Sequence, residues 1–174
     1  MTSVTLSLKD LGTSYKVIGT GMVNAAKRGA LRGALRAVST LVIATGQASP
    51  ANPGNKGQSG AVNTGHYKRS WKAERMSDGA RVHNTAPYAS VIESGRRAGS
   101  AFPPIKLIER WAQRRLGLSP KEAKAAAFPI ARAIAKRGLK GRKVMEKALP
   151  KIEQDFLVEV EAELALELAK GGKP

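Results

Sequence analysis

From Met22 to Thr45 the chain holds a helical period without a proline, and a helix of that length must be covered on one side by the rest of the fold. Leu31, Leu35, Val38 and Val42 fall on one side of it, widened by Ala34, Leu41 and Thr45, and this side is predicted to face the core. On another side Arg28, Arg32 and Arg36 form an i, i+4 ridge with Lys27 beside it. Gly46 supplies the expected stop. No acidic residue occurs between Asp10 and Glu74, so the ridge lacks the usual carboxylate partners along its own helix. Two readings stay open for these four cations: a contact with phosphates or an acidic partner surface, or an ordinary solvated face.

The rest of the chain reads as short elements around that helix. Val4-Thr5-Leu6-Ser7-Leu8 alternates as a strand does. The segment from Gly46 to Gly65 is rich in Gly, Pro, Ser and Asn, and is expected to form a long mobile loop. Two strands, His66–Ser77 and Ala80–Thr85, are expected on either side of Asp78-Gly79, whose residues tolerate the positive φ of a tight hairpin turn. Pairing about that dipeptide puts Trp71, Ala73 and Val82 on the face that covers the long helix, with Lys72, Glu74, Arg81 and His83 on the other. A cross-strand pair between His83 and Glu74 follows from the same register.

Pro87 opens a short helix that Gly95 closes. Ile105–Leu116 reads as a helix with Ile105, Ile108 and Ala112 on one face and Trp111 beside them. Ser119-Pro120-Lys121-Glu122 is a capping box, starting a helix kinked at Pro129 and ending at Gly138. A last amphipathic stretch, Ile152–Lys170, carries Ile152, Phe156, Val160 and Leu164. The expected architecture is α+β: the long helix on a small antiparallel sheet (hairpin 66–85), then several helices. Residues 1–150 make a single domain containing the mobile loop 46–65, and residues 151–174 form an acidic C-terminal helix that packs on this domain or on a neighbour.

Charge narrows the choice of partner. Of the net +17, the first 150 residues carry +20, because residues 151–174 hold three Lys against six acids. Arg96-Arg97 and the run Lys136, Arg137, Lys140, Arg142 and Lys143 are the other basic clusters. Such a field favours nucleic acid, an acidic membrane or an acidic protein face. Two Trp, three Tyr and three Phe are too few for base-stacking recognition of single strands. No apolar run approaches the roughly 18 residues of a membrane span. The opening residues do not read as an export signal, so a soluble protein assembled inside a cell is expected.

Chemistry has few footholds. There is no cysteine, and the only histidines are His66 and His83. Gly19-Thr20-Gly21-Met22-Val23-Asn24 mimics a dinucleotide fingerprint, but it lacks the third glycine and the later acid, and reads as an entry into the long helix. Tyr88 and Trp71 read as core aromatics, Tyr88 giving its hydroxyl to backbone. Glu93 is placed in a local ion pair with Arg96 and Arg97. No catalytic residue, cofactor or metal site is expected.

Two segments carry a likeness to a known family. Thr64-Gly65-His66-Tyr67-Lys68-Arg69-Ser70-Trp71 is followed by Asn84-Thr85-Ala86-Pro87-Tyr88-Ala89-Ser90-Val91-Ile92-Glu93-Ser94-Gly95. Together they resemble the paired signature of small neck or tail-component proteins of long-tailed bacteriophages. That signature joins Thr-Gly-x-aromatic/Leu-x-x-Ser-Trp to Asn-x-x-Pro-Tyr-Ala-x-x-Ile-Glu-x-Gly, and here it rests on Thr64, Gly65, Ser70, Trp71, Asn84, Pro87, Tyr88, Ala89, Glu93 and Gly95. The likeness runs from about Ala25 to Leu149. It includes a helix ending in Ile-Ala-x-x-Gly at Ile134–Gly138, and departs at Val144–Pro150, where the family has an aromatic-Pro approach to its last helix.

The resemblance implies a structural role in the virion: a head–tail joining, neck or tail-completion subunit. Such a subunit forms a homo-oligomeric ring between connector or head-closure proteins and the tail terminator or tail tube, near packaged DNA. Glu159, Glu163 and Glu167 of the acidic C-terminal helix are then expected to meet the basic body of the next subunit. Alternatives are a tail terminator and, from another class, a nonspecific DNA-binding protein.

Overall fold

The computed structural model describes residues 3–7, 20–48 and 64–169. The architecture is α+β, as expected: β1 (Ser3–Ser7), α1 (Thr20–Gln47), α2 (His66–Arg69), β2 (Trp71–Met76), β3 (Gly79–Asn84), α3 (Ala89–Ser94), β4 (Gly95–Arg96), α4 (Ile105–Leu116), α5 (Pro120–Arg137), β5 (Leu139–Lys140) and α6 (Val144–Ala169). Most of the expected loop, residues 49–63, lies outside the described residues.

α1 is the element on which both the sheet and α6 pack. Its inward face is the predicted one in part: Ala34, Leu41 and Thr45 are buried and Val38 and Val42 pack against the core, but Leu35 does not. Leu35 is 56% exposed, while Ala26, Ala30, Ala34, Ala37 and Leu41 are buried. The cause is the closeness of α6, which runs antiparallel to α1. A Cβ on Gly29 would lie 2.5 Å from the Val160 Cα, and one on Gly33 would lie 2.9 Å from the Phe156 Cα. Helix axes approach that closely only where side chains are nearly absent, so the small residues turn inward and the larger aliphatics flank the seam. Nor does Gly46 stop the helix, which runs through it to Gln47.

α6 begins earlier than the periodicity suggests, at Val144, and carries Pro150 inside it. Val144, Met145 and Ala148 are buried with the main core, and that burial offsets the backbone hydrogen bond a mid-helix proline forgoes. Ile152, Phe156, Val160 and Leu164 line the same core, as their spacing predicts.

The sheet has the order β1-β3-β2, antiparallel throughout. The hairpin turns one residue earlier than predicted, at Ser77-Asp78, with Gly79 paired to Met76. Among the described residues Lys143 is the one non-glycine with positive φ, and Gly79 is not among the glycines that have it. The turn therefore does not use the positive-φ geometry that Asp78-Gly79 suggested. Gly79 instead serves as a central-strand residue, paired to Ser7 on its other side. Glu74 consequently opposes Arg81, at 3.9 Å, and His83 opposes Lys72, so the expected His83–Glu74 pair does not form. A shift of this kind leaves the faces intact, and Trp71 and Val82 are buried toward α1.

α4 and α5 form a helical hairpin that stands apart from the main core. Ala112 of α4 and Ala123, Ala127, Ala131 and Ala135 of α5 are buried, yet none belongs to the main hydrophobic cluster. α5 starts at the predicted capping box, with Ser119 and Glu122 bonding each other's backbone N–H, and passes through Pro129 without ending. The hairpin is tied down at its base, where β4 pairs with β5. That pairing needs glycine: Gly95 has φ +82, and a Cβ there would lie 2.2 Å from the Leu139 carbonyl oxygen.

Candidate functional site

The residues of the two motif segments converge, but on each other. Tyr67, in the single turn of α2, donates its hydroxyl proton to Glu93 of α3. The second Glu93 oxygen accepts the Met145 N–H at 3.1 Å, in the first turn of α6. Glu93 is only 6% exposed, so this carboxylate joins three elements and lies where a helix N-terminus favours negative charge. It is not paired with Arg96 or Arg97, as the sequence suggested. Arg96 instead donates to the Ala101 carbonyl, and Arg97 is exposed. Burial first, and then the hydrogen bond to Glu93, push the Tyr67 hydroxyl well above its ordinary range.

The remaining motif residues brace this junction. Trp71 donates its indole N–H to Thr45 Oγ1 at 3.0 Å, fastening β2 to α1, and its ring meets Tyr67 edge-on at 5.4 Å. Asn84 donates to the Tyr67 carbonyl at 2.9 Å and accepts the Ala86 N–H at 2.9 Å. Ser70 donates to the His66 carbonyl at 2.7 Å, and its own carbonyl accepts the Thr85 N–H at 2.9 Å. Gly65 has φ +75 before α2, the Thr64 carbonyl accepts from Arg69 at 3.2 Å, and Ala89 is buried. Pro87 sits in the exposed turn before α3 rather than opening it, and Gly95 closes α3.

Tyr88 is the exception. It is 38% exposed rather than a core ring, and its hydroxyl meets His66 Nδ1 at 3.0 Å. Partial burial pushes that hydroxyl up, against a backbone hydrogen bond from Tyr67 that pulls it down. Thr64, His66 and Tyr88 line an open cavity of about 370 Å³ against Leu107, Arg110 and Arg114 of α4.

The arginine ridge of α1 is neutralised within the chain. Arg28 reaches Glu163 and Glu167, each at 2.9 Å, Arg32 reaches Glu163 at 2.6 Å, and Arg36 pairs with Glu159. Glu163 is 4% exposed and accepts from two guanidiniums. The hydrogen bonds to Glu163 and Glu167 push the Arg28 guanidinium up. Both sets of side chains are thus engaged within their own chain. Arg28, Arg32 and Arg36 meet carboxylates of α6, and Glu159, Glu163 and Glu167 meet guanidiniums of α1. The sequence hides this because the partners lie over 120 residues apart. Lys27 has no ion-pair partner among the described residues.

Basic charge in excess of acid gathers instead on the α4–α5 hairpin and its base. Residues 95–143 hold fourteen Lys and Arg against Glu109 and Glu122 alone. Lys106, Arg110 and Arg114 follow at i, i+4 along α4, and Lys124, Arg132 and Lys136 do so along α5, with Phe128 between. All six are exposed, and none has an ion-pair partner among the described residues. Of the predicted basic clusters, Arg97, Lys136, Arg137 and Lys140 are exposed here. Lys143 pairs with Glu146 at 2.9 Å, and partial burial, then nearby Arg115, pull the Arg142 guanidinium down. Sequence reasoning missed Lys106, Arg110, Arg114, Lys124 and Arg132, whose signal was an i, i+4 spacing with almost no acid to answer it.

Among the described residues no cluster of three or more His, Asp or Glu is placed to hold a metal ion. No described helix is long and apolar enough to cross a membrane. Comparison with protein families, characterised proteins and solved structures finds no match to this chain.

Proposed function

We infer that this chain is a structural subunit of a tailed bacteriophage particle, a neck (head–tail connector) or tail-completion protein that works as part of a ring joining head and tail. The observation that carries the reading is the junction at Glu93. The two segments that resemble the neck-protein signature make one buried brace through Tyr67, Asn84, Trp71 and the start of α6. A signature used in that way defines a fold, which suits a part that assembles better than one that reacts. The tail-terminator role belongs to the same reading, since it too asks for a small ring-forming subunit.

A second reading, a nonspecific DNA-binding protein, is favoured by the basic hairpin alone. Electron microscopy of lysates from a phage deleted for this gene separates the two. Full heads beside finished, unattached tails are expected for the joining role, and tails of uncontrolled length for a terminator. Normal infectious particles would remove the virion reading.

A further inference from the structure

The charge on this molecule is divided by position, and the division points to a partner. α1 and α6 together hold six Lys and Arg against seven acids, and the arginine ridge is spent on α6. Residues 95–143 hold fourteen basic residues and two acids, and Lys106, Arg110, Arg114, Lys124, Arg132 and Lys136 have no ion-pair partner among the described residues. Concentrating like charge on one small element costs stability through self-repulsion, and an anionic partner removes that cost on binding. We propose that the α4–α5 arm is a docking surface for the phosphate backbone of double-stranded DNA, read without regard to sequence.

Three features choose the duplex over other polyanions. First, the α5 stripe Lys124, Arg132 and Lys136 lies about 100° round the helix from the buried alanines. On α4, Arg110 and Arg114 lie about 160° from Ala112, on the side away from α5, where they stay exposed at the edge of the open cavity beside His66 and Tyr88. Successive cations rise by about 6 Å along α4 and from Arg132 to Lys136, and by about 12 Å from Lys124 to Arg132, rows that can follow a line of phosphates. Secondly, the exposed aromatics of the arm are not free as stacking platforms. Phe102 and Phe128 stack on one another with centroids 5.8 Å apart, which argues against a single strand. Thirdly, charged residues are depleted at the core of protein–protein interfaces, whereas protein–DNA interfaces are much more positively charged. An arm dominated by exposed Lys and Arg matches the second kind.

The inference goes beyond the neck reading and does not depend on it. A DNA-free ring would leave the virion role standing, and a duplex-binding arm on a protein without a virion role would leave the arm standing. Its test is fluorescence anisotropy of the purified full chain with a random-sequence 30-base-pair duplex, titrated between about 50 and 300 mM NaCl. Replacing Lys106, Arg110, Arg114, Lys124, Arg132 and Lys136 together by Gln should weaken binding at least about a hundredfold at the lowest salt. It should also flatten the salt dependence by about three to five units of slope. The smaller pair Lys124→Gln with Lys136→Gln should lower the slope by about two, and guards against misfolding of the sixfold variant. Arg28→Gln, Arg32→Gln and Arg36→Gln combined should leave affinity within about threefold. Equal loss from the ridge variant overturns the proposal, as does tighter binding to polyglutamate than to the duplex, which marks an acidic protein face instead.

Discussion

The α1–α6 pair and the α4–α5 hairpin are both antiparallel helix pairs with alanine-rich seams, yet they treat charge in opposite ways. In the first, Arg28, Arg32 and Arg36 lie against Glu159, Glu163 and Glu167, and the seam is close enough to need Gly29 and Gly33. In the second, exposed cations repeat along both helices with Glu109 and Glu122 as the only acids. A basic stripe in a sequence therefore does not identify a binding surface. What matters is whether the fold brings carboxylates to it, and here it does so for one stripe and not for the other.

The comparison is broken most severely at the α1–α6 seam. Gly29→Val places a branched side chain against the Val160 backbone, and should cost about 2–3 kcal/mol in urea unfolding. The same exchange at Gly117, where a Cβ meets nothing within 4 Å, tests only the strain of its φ of +68. Next in size, Glu93→Ala strands the Tyr67 hydroxyl and the Met145 N–H, and should cost about 2 kcal/mol. Full stability in that variant would mean that the motif junction does not hold the start of α6.

The ridge and the arm sharpen the contrast directly. Arg28→Gln, Arg32→Gln and Arg36→Gln together should lower the melting temperature at low salt, and lower it less in 1 M NaCl, since these guanidiniums are partly exposed and screened. Lys124→Gln, Arg132→Gln and Lys136→Gln should change stability by no more than about 0.5 kcal/mol. Thermal melts of both triple variants at two salt concentrations measure the difference.

The smallest effect concerns pH. The Tyr67 hydroxyl is raised in the folded state, so its contribution is intact below the unfolded value near 10 and is lost as the pH rises beyond it. Tyr67→Phe should make the alkaline decline of stability shallower above pH 10, and an unchanged decline would place the titrating group elsewhere.

How much was legible in the sequence follows from the range of each interaction. The ends of α4, the capping box at Ser119 and the two faces of the hairpin were readable because period and cap are local signals. The turn, by contrast, falls one residue early, and His66–Arg69, expected as strand, form α2. The inward face of α1 was legible only in part, at Ala34, Val38, Leu41, Val42 and Thr45. Apolar weight pointed to Leu35, whereas the core face is set by how near α6 comes, a fact held in Gly29, Gly33, Phe156 and Val160 together. The partners of the ridge and of Glu93 failed for the same reason. Arg28 meets Glu163 across 135 positions and Glu93 meets Met145 across 52, and neither separation leaves a trace in local pattern. The early start of α6 was masked by Pro150, which local rules read as a boundary.

Hydrogen exchange of the full chain, with and without a random-sequence duplex at about 50 mM NaCl, tests the division of charge most directly. The account predicts slower exchange along α4 and α5 on adding the duplex, with α1 and α6 unchanged. Protection appearing on α1, or on no part of the arm, would contradict it.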